Sequence, residues 1–143
     1  MKCIFCEIVA GREPASEIYA DDRVMALMGV QPAQPGECMV IPRDHIDHFS
    51  DLPDDLAAHV MVVAQKISRK MQRVFLPRRV GLVVHGFGVP HAHLMIVPQH
   101  RSDDITSGRF ARIEDGKIVF SLKNIPMVKR ELLDEQAKLL RVE

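Results

Sequence analysis

Tryptophan is absent from the 143-residue sequence and tyrosine occurs once, which leaves little aromatic surface for stacking the bases of a nucleic-acid strand. Excess charge of either sign is missing as well: 19 Lys and Arg balance 19 Asp and Glu, for a net charge of zero with neutral histidine. Without a basic footprint, neither nucleic acid nor an acidic membrane is an expected partner. A strongly charged ligand has to be held by a local site. No apolar run reaches the roughly 18 residues of a membrane span, and the opening Met1–Glu7 is too short and too quickly charged for a secretory signal. A cytoplasmic location is therefore expected. Three cysteines, an odd number, do not make a disulfide scaffold. Repeats and low-complexity tracts are lacking too. The length fits one domain, which buries roughly 70% of its unfolded surface and needs no staple.

Within that frame the chain alternates short strand and helix signals. Residues 3–10 form a helix candidate with Ile4, Phe5 and Ile8 on one face and Gly11 at its end. Strands are expected at 17–20 and 23–28 around the turn pair Asp21-Asp22, and at 37–41, ended by Pro42. The longest helix is expected to be capped by Ser50 or Asp51, with Pro53 near its first turn. Leu56, Val60, Val63, Ile67, Met71 and Val74 keep helical spacing up to Pro77. Residues 80–85 and 91–97 read as strands, the second ended by Pro98. Residues 101–117 read as a polar loop, and 125–141 as a last helix with Asn124 as cap and Pro126 in its first turn.

The chemistry concentrates in Val89-Pro90-His91-Ala92-His93-Leu94-Met95. Side chains two apart on a strand share a face, so His91, His93 and Met95 line one side and Ala92, Leu94 and Ile96 the other, the expected core side. Two imidazoles on one face need partners. On spacing alone they fit a structural pair, a metal site or a catalytic site. Cys3 and Cys6 form a C-x-x-C, compatible with redox chemistry, with two core cysteines, or with half of a zinc site. Cys38, in an apolar strand, reads as a small buried hydrophobe. His59 is expected to face solvent on the long helix, His100 to face solvent after its strand, and Arg101 to Asp104 to form a solvated loop.

The order of these features, from Cys-x-x-Cys through Ile-Pro-x-x-His and a long helix to Val-Pro-His-x-His, resembles the histidine triad (HIT) family in its small bacterial, Hint-like branch, over about residues 3–100. The resemblance implies an α+β fold: a five-stranded antiparallel sheet with one long helix, a short N-terminal helix and, beyond residue 100, a C-terminal helical extension. It also implies a homodimer. The implied activity is attack by His93 on the α-phosphorus of a nucleoside monophosphate ester or phosphoramidate, through a nucleotidyl-histidine. The second ring nitrogen of His93 then donates to a backbone carbonyl. His91 and His85 complete the catalytic set, Phe5, Leu27, Val30, Gly88 and Val89 are the candidates for nucleotide contact, and Cys3, Cys6, His45 and His91 are the implied ligands of a structural zinc, with His48 a rival for His45.

The sequence also departs from the family pattern. Met95 stands where the third triad histidine donates a hydrogen bond, which a thioether cannot do. Gly29 stands where an Asp binds the ribose hydroxyls. Phe87 and Gly88 replace a Gln and a Ser or Thr, His85 replaces an Asn, and Gln99 replaces an Arg. These changes keep a second reading open, a weakened relative that binds a nucleotide or protein partner without turnover.

Overall fold

The computed structural model describes residues 2–105, 111–123 and 125–143. In chain order the elements are α1 (Ile4–Val9), β1 (Glu17–Ala20), β2 (Val24–Met28), β3 (Cys38–Pro42), α2 (Asp54–Phe75), β4 (Arg79–Val83), β5 (Leu94–Gln99), β6 (Ala111–Glu114), β7 (Lys117–Phe120) and α3 (Arg130–Leu140). The first five strands form one antiparallel sheet in the order β1-β2-β3-β5-β4. The expected α+β architecture is thus present. Among the described residues no helix is long and apolar enough to cross a membrane.

Strand alternation divides the side chains between two faces. Val24, Ala26, Met28, Val40, Leu94 and Ile96 point to one side, where α2 covers them with Leu56, Val60, Val63, Ala64, Ile67 and Met71. Fully burying each large aliphatic side chain here contributes roughly 1.5–3 kcal/mol, so this face carries most of the stability. Leu133, Ala137 and Leu140 of α3 join the same cluster. The other face holds Met25, Leu27, Met39 and Ile41 under the short helix α1, through Phe5 and Ile8. A six-residue helix is not stable by itself in water. Its packing on this face, and the two 2.8 Å bonds from the Arg12 guanidinium to the Glu7 carboxylate, hold it in place.

Several local expectations give way to the structure. Ser50 and Asp51 do not cap α2: they lie in a separate 3-10 turn, Phe49–Asp51, and Pro53 takes the cap position. Its missing N–H costs nothing where helix donors are unpaired anyway. β3 ends at Pro42, whereas Pro98 does not stop its strand but lies within it, opposite Val80. β3 pairs with β5 only from Cys38 to Val40, so at Pro98 the β3 side is open and a missing donor breaks no ladder bond. His91 to His93 lie before β5 rather than in it, and the Ala92 amide donates to the Ile46 carbonyl at 2.7 Å.

Residues 111–120, inside and just beyond the expected loop, form the β6–β7 hairpin. Its turn pair is Asp115 and Gly116, with φ of 51° and 74°. Two consecutive positive φ values suit the Asp-Gly pair and match the twist of a hairpin. The last helix starts at Arg130, with Lys129 at its cap, rather than near 125. The preceding segment is instead docked on the loop after β2, through Val128 N–H to the Val30 carbonyl at 2.9 Å and Gln31 Nε2 to the Ile125 carbonyl at 2.8 Å. Asn124, the expected cap, lies outside the described residues.

A cysteine and histidine cluster beside a histidine-lined cleft

α1 and the loop after β3 bring Cys3, Cys6, His45 and His91 together, their ligand atoms all within 4.8 Å of one another. Cys3 Sγ lies 3.5 Å from His91 Nδ1, Cys6 Sγ 3.7 Å from the same nitrogen, and Cys6 Sγ 3.2 Å from His45 Nδ1. A tetrahedral zinc with ordinary Zn–S and Zn–N bonds separates S from N by about 3.6 Å, so the spacing suits that ion. His91 is fully buried. Its Nε2–H donates to the Pro42 carbonyl at 2.9 Å, which leaves the Nδ1 lone pair aimed at the two sulfurs. Burial pushes the His91 pKa below the usual histidine value, keeping the ring neutral. Burial and the neighbouring Cys3 push the Cys6 thiol up, an arrangement a divalent cation reverses by binding thiolate. His48 is not part of this cluster: it lines the adjoining cleft.

His93 is buried two residues further on, and its Nδ1–H donates to the His91 carbonyl at 2.7 Å. A carbonyl only accepts, so the proton is on Nδ1 and Nε2 keeps its lone pair. The Phe5 ring meets His93 edge to face at 5.5 Å and His91 at 5.6 Å, fixing both imidazoles. In front of His93 is a cleft of about 40 Å³ lined by His85, His48, Asp47, Gly86 and Val89 among others. A single water needs about 10–15 Å³, so the cleft admits a small polar group and leaves anything larger on the open surface. Met95 pairs with Met39 on β3 and Val83 on β4, which gives it a half-buried apolar neighbourhood without a donor.

The other sequence candidates divide. His85 and Val89 reach the cleft, whereas Gly88 sits in the exposed turn before it, where Gly86 takes the lining position. Phe5 and Leu27 pack together in the α1 cluster. Val30 is not brought to them, because it packs against the α2 cluster on the other side of the sheet. Cys38 is fully buried, and burial pushes its thiol far up, as befits an inert core residue. His59 is not solvated: its Nε2 donates to Asp21 Oδ2 at 2.6 Å, and Asp21 also accepts from Tyr19 and from the Arg23 and Val24 amides. The Arg101–Asp104 segment is not simply solvated either, since Asp104 is buried and accepts from the His100 and Arg101 amides at 2.7 Å each. Asp47 at the cleft rim and the staple at Asp104 carry no motif, and sequence reading passed over both.

Comparison with known proteins gives a coherent picture. The sequence profile of the HIT domain matches residues 10–102. An uncharacterised HIT-like protein of Saccharolobus solfataricus is 30% identical over 138 residues, covering 86% of this chain and 99% of its own. An adenosine 5′-monophosphoramidase of Schizosaccharomyces pombe is 28% identical over 101 residues, covering 69% and 75%. A crystal structure of a zinc-bound histidine triad family protein from Mycobacterium smegmatis aligns with a TM-score of 0.73 and 26% identity, over 99% of this chain and 91% of that one.

Proposed function

The chain belongs to the HIT domain family, and from that premise we propose that it is a nucleotide-binding hydrolase or transferase acting on the α-phosphate of a nucleoside monophosphate ester or phosphoramidate, with His93 as nucleophile. One observation carries the reading: the 2.7 Å bond from His93 Nδ1–H to the His91 carbonyl. In the neutral ring it leaves the lone pair on Nε2, the nitrogen free to act as nucleophile. It also strengthens as the ring gains positive charge, because a cationic donor makes the stronger hydrogen bond. In the first step the Nε2 lone pair forms the N–P bond, and the leaving group departs with the electrons of the bond it breaks and takes a proton from solvent. In the second step water adds to phosphorus, the N–P bond breaks, its electron pair returns to Nε2, and the water proton is released. His85 is the side-chain donor across the cleft for the phosphoryl oxygens. The adenosine monophosphoramidase relative supports the substrate class.

Cys3, Cys6, His45 and His91 would hold a structural zinc, and the zinc-bound relative supports that assignment. All four positions are then protein ligands, so the ion organises α1 and His91 without touching substrate. The expected homodimer and cytoplasmic location belong to this same reading. Met95 and Gly29 favour the alternative, a relative that binds nucleotide without turnover. Steady-state hydrolysis of adenosine 5′-monophosphoramidate by the wild type and His93→Ala separates the two. Turnover in the wild type that is lost in a folded His93→Ala supports the enzyme. Equal rates in both contradict it.

A further inference from the structure

A second cleft opens at the far end of the β4–β5 pair. Its volume is about 230 Å³, and Arg78, Arg79, Gln99, His100, Arg101 and Ser102 line it. Gln99 ends β5, whose first residue follows His93, and the strand is about 17–20 Å long, so this cleft is separate from the histidine one.

Three arginines line this second cleft, on a chain whose net charge is zero. Arg101 Nε is 3.5 Å from Asp103 Oδ1, and Arg79 Nη1 donates to the Arg78 carbonyl at 3.2 Å. Among the described residues no carboxylate pairs with Arg78 or Arg79. Like charges held side by side repel, at a cost that an anion between them reverses.

The backbone beneath this cleft is held on both sides. Buried Asp104 accepts the amides of His100 and Arg101 and the Gln34 side-chain amide at 3.0 Å, which sets the turn bearing Arg101 and Ser102. On the β4 side, a Cβ at Gly81 would lie 2.3 Å from Ile105 Cδ1 and 2.7 Å from Gln99 Oε1. The missing side chain is what lets Ile105 close over the strand and gives the Gln99 side chain room beside it. A backbone already in place before the ligand arrives lowers the entropy lost on binding.

We propose that this cleft binds a small oligophosphate anion, a molecule carrying two or more phosphate groups. Guanidinium forks match pairs of phosphate oxygens, and Gln99 and Ser102 add neutral donors. Arg101 shares its charge with Asp103, which leaves Arg78 and Arg79 without a carboxylate partner among the described residues, and the size of the cleft leaves room for more than one phosphate group. The volume falls below the roughly 300–1,000 Å³ of pockets that engulf drug-sized ligands, so it suits a short phosphate chain.

Calorimetric titration of the full chain with inorganic orthophosphate, pyrophosphate and tripolyphosphate tests this, at low and near-physiological salt. The expected result is one ion per chain, with affinity rising along that series. Binding weakens at least about tenfold in Arg79→Gln/Arg101→Gln, whose side chains are exposed, stays unchanged in His93→Ala, and shifts the His100 ring signals in NMR spectra. Adenosine triphosphate run in parallel identifies the source of the phosphate chain: tighter binding than tripolyphosphate assigns a nucleotide, and equal or weaker binding the free oligophosphate. Undetectable tripolyphosphate binding, affinity that survives the double arginine change, or loss that follows His93→Ala overturns the proposal.

Discussion

His93 Nδ1 donates to the backbone carbonyl of His91 at 2.7 Å, while the His91 ring, through Nε2, donates to the Pro42 carbonyl at 2.9 Å. The two bonds give neighbouring histidines opposite tautomers. His91 presents Nδ1 to Cys3 and Cys6, and His93 keeps its lone pair on Nε2. Neither orientation is available to the other residue without turning its ring, so the proposed metal ligand and the proposed nucleophile fit within three consecutive residues.

Zinc is expected at one equivalent per chain. Zinc at about 100 times its dissociation constant adds about 2.7 kcal/mol to folding stability, read as a rise in Tm that a chelator removes. Cys3→Ser and His45→Ala abolish the increment, whereas Cys38→Ser leaves the zinc content at one. Metal analysis showing no zinc after loading of the wild type contradicts the assignment.

Acid stability depends on Glu7. Hydrogen bonds from Arg12 and then Lys2 lower its pKa from 4.5 to about 2. The folded state therefore holds this proton less tightly than the unfolded one. The stabilising contribution is complete above about pH 4.5 and is lost as pH falls from there towards 2. Thermal denaturation followed by circular dichroism across this window is expected to show a shallower fall in Glu7→Gln than in the wild type. Identical slopes refute the assignment.

Met95 lies between Met39 and Val83 and offers no donor. Removing one such donor in other enzymes costs on the order of a hundred- to a thousand-fold in kcat. Met95→His is therefore expected to raise kcat on the phosphoramidate, by up to about a hundredfold. An unchanged kcat, with the fold intact, means the position does not face the reaction.

Leu76 ends α2 with a φ of 50° and an exposed side chain. The left-handed region costs an ordinary residue roughly 1–2 kcal/mol, and little packing is lost on replacing it. Leu76→Asn is expected to stabilise the protein by roughly 0.5–1 kcal/mol, measured by urea denaturation. A loss of stability contradicts this account of the cap.

The large periodic elements were legible in the sequence because they obey simple spacing: Leu56 to Met71 at helical intervals, and Glu17–Ala20 as a short strand. The cluster was legible only through the family resemblance, which singled out His45 and His91 to join Cys3 and Cys6; the C-x-x-C by itself left redox, core and metal roles open. What failed had tertiary causes. Pro98 continues β5 because β3 has already ended beside it. His59 is drawn from solvent by Asp21, a partner 38 positions away. Val30 alternates to the wrong face for a site with Leu27. The β6–β7 hairpin had a readable signal, Asp115-Gly116 between alternating Ile113 and Ile118, masked by the polarity of the stretch around it.

The central claim is covalent catalysis by His93, and mass spectrometry of the intact protein tests it most directly. The protein is mixed with adenosine 5′-monophosphoramidate and quenched briefly without acid. The account predicts a nucleotidyl adduct that maps to His93 and is absent from His93→Ala. No adduct, with no AMP released by a correctly folded wild type, contradicts it.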